Sequence, residues 1–402
     1  ISTDLGWFTQ IAWEKFTGDG IVIGVIDNGV DSTNPDISPN FLNQPSYDYC
    51  GYDNDVMPYA SDSDNWHGTA VTGIVAGRGD NGLGIAGVAY NSSVVGLRIS
   101  GGDCVANYTL QNSTQSAFQH RLDLIDIYTN SWGPADDGQT LDGPDAMALA
   151  AIEKGISFAK GDVILCTDAD CSVTESWITT IIDYFSDEKI KMVSAPVLFE
   201  NKKGIFRQLQ SLEFLSLIGS GAAAIGRGKS IFCNGANLAY RKSVFLEVNS
   251  FDNNIASGDD VFLMHQIKQK YANGIAFAKQ KEAIVKTSSQ PNISAFINQR
   301  KRWAAKSGSY KDWDTIVISI LVFLMNISIT TLFVLSLFNM QWLEVFLTLF
   351  LVKYIADYLF LLPVLKFFRK RNLAFWILPF EIFYCFYIIL IVILSFTSSF
   401  EW

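Results

Sequence analysis

The stretch NWHGTAVTGIVAG, Asn65–Gly77, sets a histidine at the head of a run of small and β-branched residues. A histidine so placed raises the question whether its imidazole serves as a general base, since a lone histidine is more often structural. A base of that kind needs a carboxylate to orient it and a nucleophile to serve. The carboxylate has a candidate upstream. GIVIGVIDNGVD is an apolar, β-branched run closed by polar residues, the pattern of a buried parallel strand with a functional C-terminal end, and it places Asp27 there.

The rest of the first half extends this α/β pattern. SSVVGLRIS and LIDIYTNSWG read as two more strands, and helices are expected over 67–77 and 143–155. Residues 37–65 and 100–116 are loops rich in Asp, Asn, Ser and Gly. Charge divides the chain: the first 157 residues carry 20 Asp and Glu against 5 Lys and Arg, and the remainder 20 against 25. The swing marks a compositional boundary, and the acidic half excludes nucleic acid as a partner. Six cysteines are widely spaced. Cys50 and Cys104 can pair in an oxidising compartment, and Cys166, Cys171, Cys233 and Cys385 show no metal spacing. The sequence begins abruptly at Ile1 without a targeting segment.

Asp27, His67 and NSWGPADDGQTLDGP, in this order and spacing, resemble the kexin/furin-like branch of the subtilisin-type serine proteases over about residues 10–150. The resemblance makes Asp27 and His67 the acid and base of a Ser-His-Asp triad. It makes Ser131, Trp132 and Gly133 an edge for a peptide substrate, and Asp136 the wall of a pocket for a basic side chain. It gives Asp36, Asn81 and the RGDNGLGI loop a structural Ca²⁺. The triad serine is missing. The family places it in GTSAAAP, and the nearest string here, GSGAAAIG, has Gly221 in the serine position and no proline after it. The Asn that supports the oxyanion is missing too.

A second α/β pattern runs from about 160 to 310. DVILCTDADC ends a strand in Asp168 and Asp170, and two carboxylates so spaced suit a divalent metal on a diphosphate. KMVSAPV and KSIFCNGANLAYR read as further strands; SGDDVFL sets Asp259 and Asp260 before a helix, and QRKRW spans Gln299 to Trp303. Together these resemble the membrane-bound family-2 glycosyltransferases over about 153–402. The resemblance implies that Asp168 and Asp170 bind Mg²⁺ or Mn²⁺ and diphosphate. Asp260, with Asp259 beside it, is the base for inverting transfer, and Gln299, Arg302 and Trp303 hold diphosphate and acceptor. The nucleotide-binding front unit of that family is missing, and the protease-like sequence stands in its place.

Thr315–Phe338, Leu343–Leu365 and Phe375–Phe396 are apolar runs long enough to cross a bilayer of roughly 30 Å. QRKRWAAKSGSYK and KFFRKR flank them, while NMQW carries no basic residue, so residues 160–314 belong on the cytoplasmic side. Lys353 and Asp357, four apart, neutralise each other.

The expected architecture is α/β: a partial subtilisin-like parallel sheet (1–152), a partial GT-A, Rossmann-like glycosyltransferase domain (153–314), and a membrane domain of three helices (315–402). The chain reads as a chimera with neither activity complete, its protease-like half native to a secreted or luminal compartment and its transferase-like half to the cytoplasm. Two alternatives stay open. One is a working membrane glycosyltransferase with a replaced front half, using a nucleotide-sugar and a glycan or lipid acceptor. The other is a pseudoprotease that binds basic peptides from a membrane anchor.

Overall fold

The computed structural model describes residues 13–14, 16–59, 66–101, 104, 114, 116–131, 155–157, 159–168, 171–200, 204–248, 259–307 and 310–397. It divides between Ala159 and Lys160 into two compact units.

In the first unit, β1 (Val22–Asp27), β2 (Tyr47–Asp48), β3 (Ser93–Arg98) and β4 (Ile127–Asn130) form a parallel sheet in the order β2-β3-β1-β4. β1 and β3 are buried along almost their whole length because both sheet faces are covered. On one face, Val25 and Val94 pack with Ile37, Phe41, Val56 and Ala76 of helix α1 (His67–Ala76). On the other, Ile26, Val95 and Leu97 pack with Ile99, Ala117 and Ile125. The buried ion pair Arg98–Asp48, 2.8 Å, joins β3 to β2, and a disulfide links Cys50 to Cys104. The expected helix over 143–155 lies almost wholly outside the described residues.

In the second unit, β5 (Val163–Cys166), β6 (Met192–Ser194), β8 (Leu238–Arg241) and β9 (Ile275–Phe277) form a mixed sheet in the order β5-β8-β6-β9. β8 runs antiparallel to both neighbours. β7 (Val197–Phe199) pairs in parallel with β10 (Val285–Thr287). Two sequence expectations are corrected. KMVSAPV is two strands in different sheets, because Pro196 has no N–H for a ladder; its carbonyl instead accepts from Val285 N at 3.0 Å. In KSIFCNGANLAYR only Leu238–Arg241 is strand, preceded by a turn that Asn234 closes by accepting from Ala236 N.

The helices are α2 (Trp177–Ile182), α3 (Ile205–Ile225), α4 (Lys242–Val248), α5 (Asp259–Lys270), α6 (Ile293–Ser307), α7 (Trp313–Phe338), α8 (Gln341–Phe367) and α9 (Ile377–Thr397). The last three give three spans long and apolar enough to cross a membrane, as the hydropathy implies. Their lipid-sized apolar surface is exposed, while Leu361, Leu365, Phe368 and Ile377 pack on Val197, Leu198, Phe199, Phe214 and Leu215. At the centre of that packing lies a buried ion pair. Arg300 of α6 binds Glu213 of α3 through Nε (3.0 Å) and Nη2 (2.6 Å), and Tyr387 of α9 donates to Glu213 at 2.9 Å. The guanidinium also stacks over Phe296 (4.6 Å) and Trp303 (4.2 Å). Removing one partner of a buried pair leaves an uncompensated charge. Arg300→Met is therefore expected to lower stability by about 3–5 kcal/mol, while the double change Arg300→Met with Glu213→Leu recovers most of it; denaturant melts in detergent measure both.

Candidate functional sites

Two sites emerge, one in each unit. In the first, β1 ends at Asp27 and α1 begins at His67, and the two meet: Nδ1 of the imidazole lies 2.8 Å from Oδ1 of Asp27. The carboxylate is buried, and its Oδ1 also accepts from Asn28 N at 2.8 Å. The helix can approach because position 68 is glycine. A Cβ there would sit 2.3 Å from the Gly29 carbonyl oxygen and 2.8 Å from Asp27 Cβ. Asn28 fixes the start of α1 by accepting from Gly68 N, and Thr69 accepts from Asp31 N. The arrangement orients an imidazole whose other side is half exposed.

Around the second loop, Asp36 is buried. Its Oδ1 accepts from Asn81 Nδ2 at 2.8 Å and its Oδ2 from Ile85 N at 2.9 Å. Gly84, at φ +40°, lets the loop close over this carboxylate, since a Cβ there would lie 2.2 Å from Oδ2. Ser131 is exposed at the end of β4, and Trp132, Gly133 and Asp136 lie outside the described residues.

In the second unit, Asp168 is exposed just past β5, and Asp170 lies outside the described residues. Asp260 opens α5, where its Oδ1 accepts from Val261 N (2.9 Å) and its Oδ2 from Gly235 N (2.7 Å). Gly235 belongs to the turn before β8, and fully buried Asn237 fastens that turn. Asn237 accepts from the Trp177 indole at 3.0 Å and donates to the carbonyls of Pro196 and Ala283 at 2.8 Å each. Burial pushes the Cys166 thiol up, and the carboxylates of Asp260 and Asp168 add to the rise. Burial, then Asp260, likewise raises Cys233 and the Tyr310 phenol. Asp168 and Asp260 thus both act on Cys166, the last residue of β5.

Gln299 and Trp303 sit together on α6 because both touch Arg300: its Nη1 donates to Gln299 Oε1 at 2.6 Å, and its plane covers the indole. The α6 helix includes position 302, and α5 includes position 259. The sequence reading passed over Arg300, Glu213, Asn237 and Tyr310. A basic residue inside QRKRW and a lone Glu inside the apolar stretch LQSLEFLSL were the available signals for the ion pair. Among the described residues no group of three or more His, Cys, Asp and Glu is placed to hold a metal.

A family profile for glycosyl transferase family group 2 matches residues 163–398, and one for the subtilase family matches residues 18–177. The first spans more than half of the chain, and the chain belongs to glycosyl transferase family group 2. Human neuroendocrine convertase 2 is 38% identical over 154 residues, 37% of this chain and 23% of that protein. Rat proprotein convertase subtilisin/kexin type 6 is 40% identical over 149 residues, 37% of this chain and 15% of that protein. The chain thus spans less than a quarter of these curated relatives. Fervidolysin from Fervidobacterium pennivorans, a keratinolytic enzyme related to subtilisin, is 23% identical at a TM-score of 0.29, covering 37% of this chain and 21% of that one. MycP1 with its N-terminal propeptide removed is 23% identical at a TM-score of 0.30, covering 42% and 51%. The chain therefore joins a subtilase-like fragment, of the kexin/furin kind, to a glycosyltransferase-like region, and the two profile matches overlap over residues 163–177.

The helix that carries Asp260 also carries a titrating group. Burial pushes His265 down to about 4, more than nearby Asp312 raises it, and its Nε2 lies 3.0 Å from Thr315 Oγ1. Lys268, one turn on, binds Asp312 (2.8 Å) and Asp314 (2.8 Å) at the start of α7. Below its unfolded value of about 6.5 the unfolded chain takes up a proton at His265 that the folded chain refuses until about 4. Stability should therefore be full above about pH 6.5 and fall, by up to about 3 kcal/mol, as pH drops to 4. Unfolding measured across that window should show the slope, and His265→Gln should flatten it.

Proposed function

We propose that this chain is a chimera whose second half is the remnant of an inverting membrane glycosyltransferase and whose first half is the remnant of a calcium-dependent serine endopeptidase that cleaves after basic residues. Neither reaction runs to completion. The observation that carries the transferase reading is the Asp260 carboxylate, pinned to Gly235 N–H at the head of α5, in the surroundings it shares with Asp168. In that reading a nucleotide-sugar presents its anomeric carbon near Asp260. Asp260 accepts the proton of the acceptor hydroxyl as the oxygen attacks from the face opposite the diphosphate, which gives inversion. The acceptor is a glycan or a lipid. Gln299, Arg302 and Trp303 orient diphosphate and acceptor, a guanidinium suiting phosphate and an indole face a sugar ring. Asp259 supports Asp260.

The oxygen donors Asp168 and Asp170 fit Mg²⁺ or Mn²⁺, which binds through one or two carboxylates and substrate phosphates and would neutralise the leaving diphosphate. Base recognition has no counterpart in the sequence ahead of β5, so a bound sugar is poorly oriented, and misplacement costs rate steeply. In the first half the resemblance assigns a structural Ca²⁺ to Asp36, Asn81 and loop carbonyls, but both Asp36 oxygens accept from Asn81 Nδ2 and Ile85 N and Asn81 Oδ1 accepts from Leu83 N, so the donors as placed do not fit the ion. Asp27 and His67 form the oriented base, but a triad without its serine and oxyanion donors loses most of its effect. Trp132, Gly133 and Asp136 are the expected peptide contacts beyond Ser131.

A second reading, a pseudoprotease that binds basic peptides, is favoured by one feature: β4 is an edge of its sheet among the described residues and leads to Ser131, as strand addition requires.

Calorimetry on the detergent-solubilised chain should give weak nucleoside diphosphate binding that needs Mg²⁺ or Mn²⁺ and shows little preference for uridine. Tight uridine-selective binding with turnover lost in Asp260→Asn refutes the chimera reading. No calcium-dependent cleavage of an Arg-Arg peptide is expected; cleavage abolished by His67→Ala refutes that. With the basic loops cytoplasmic, a reporter after Trp402 should read as external.

A further inference from the structure

At the end of α8 the chain turns through a Schellman cap. Arg369 N donates to the Lys366 carbonyl at 3.2 Å, and Lys370 N to the Leu365 carbonyl at 2.8 Å. The residue that takes the left-handed conformation in such a cap is usually glycine, and here it is Arg369, at φ +55°. A long side chain is thus kept where its backbone is strained, and outliers of this kind cluster at functional positions. The same turn sets Lys366, Lys370 and Arg371 beside it, four cations within six residues.

A fifth comes from the sheet. Lys286 of β10 pairs with Leu198 of β7, and Leu198 packs in one cluster with Leu365, Phe368 and Leu373, which bracket the turn. On the other side the Lys286 backbone is fixed to Ser172 by bonds of 2.9 and 2.8 Å. Burial lowers the Lys370 ammonium, and the charge of Lys286 lowers it further. Two ammoniums from two rigid elements are thus held together against their own repulsion.

A helix C-terminus answers about half a positive charge. Glu200, the residue after β7, brings one carboxylate to the end of the ladder. Among the described residues no ion pair holds Lys286, Lys366, Arg369 or Arg371. A basic flank to a membrane span accounts for the cations of the turn. It does not account for Lys286.

We propose that Lys286 and Lys370, with Lys366, Arg369 and Arg371 around them, form a binding site for a phosphate monoester at the end of α8. A monoester carries roughly −1.5 to −2 charges at pH 7 and three strong acceptor oxygens, enough to bridge two ammoniums. The same chemistry is offered by the headgroup of phosphatidic acid and by free phosphate.

Calorimetry on the full detergent-solubilised chain uses dioctanoyl phosphatidic acid, dioctanoyl phosphatidylcholine and inorganic phosphate. Phosphatidic acid, phosphate or both should bind at least about tenfold more tightly than phosphatidylcholine. Tighter binding of phosphatidic acid than of phosphate assigns the group to a lipid; equal or tighter binding of phosphate assigns it to a free ion. Lys286→Gln and, separately, Lys370→Gln should each weaken the binding at least about tenfold. Lys189→Gln, at an exposed lysine outside the cluster, should leave it unchanged. Lys286 is exposed and Lys370 only partly buried, so glutamine at either leaves the core intact. Binding of neither phosphatidic acid nor phosphate above the phosphatidylcholine level overturns the proposal. So does binding that either glutamine variant leaves unchanged, or that Lys189→Gln weakens as much.

Discussion

The second unit depends on the ion pair between Glu213 and Arg300. Taking two charges out of water is expensive, and the cost is offset only when every donor and acceptor finds a partner. Here the partners come from three places: the neighbouring Gln299, the ring faces of Phe296 and Trp303, and the hydroxyl of Tyr387. Because the pair and these partners lie on α3, α6 and α9, one buried ion pair fixes an interior helix, the helix with the candidate substrate residues, and a membrane span. A hydrophobic cluster could hold the three together, but it would tolerate sliding. The planar, bidentate geometry of a guanidinium on a carboxylate does not.

The first unit obeys a different constraint, the close approach of backbone to backbone. Its sheet is covered on both faces, and its oriented imidazole exists because glycine at position 68 lets α1 descend onto β1. The loop over Asp36 uses the same device at Gly84. Both features lie in the stretch that the subtilase-family profile matches.

Much of this was legible before any coordinates. Apolar β-branched runs ending in carboxylates announced β1 and β5, and continuous apolar length announced α7 to α9. The pairing of Asp27 with His67 was expected from the resemblance to the subtilisin-type proteases that their order and spacing carry. What escaped was long-range. Arg300 looked like one cation in a basic anchor, and only folding brings it to Glu213, 87 positions away. Asn237 looked like part of a small-residue turn, yet its amide ties together segments 41 and 46 residues distant. Glu381 sits alone in an apolar run, with nothing local to show that it shares a lysine with Asp357. Short-range periodicity reports which face is buried; it does not report which buried polar groups meet.

The helix α5 joins two places that would otherwise be independent. Its first turn holds Asp260 against Gly235, and its last turn holds Lys268 against Asp312 and Asp314 at the foot of α7. Twelve helical residues make a stiff rod of about 18 Å. A membrane span adjusts to bilayer thickness by tilting. A tilt of α7 would therefore load one end of a lever whose other end is a carboxylate held in a narrow turn.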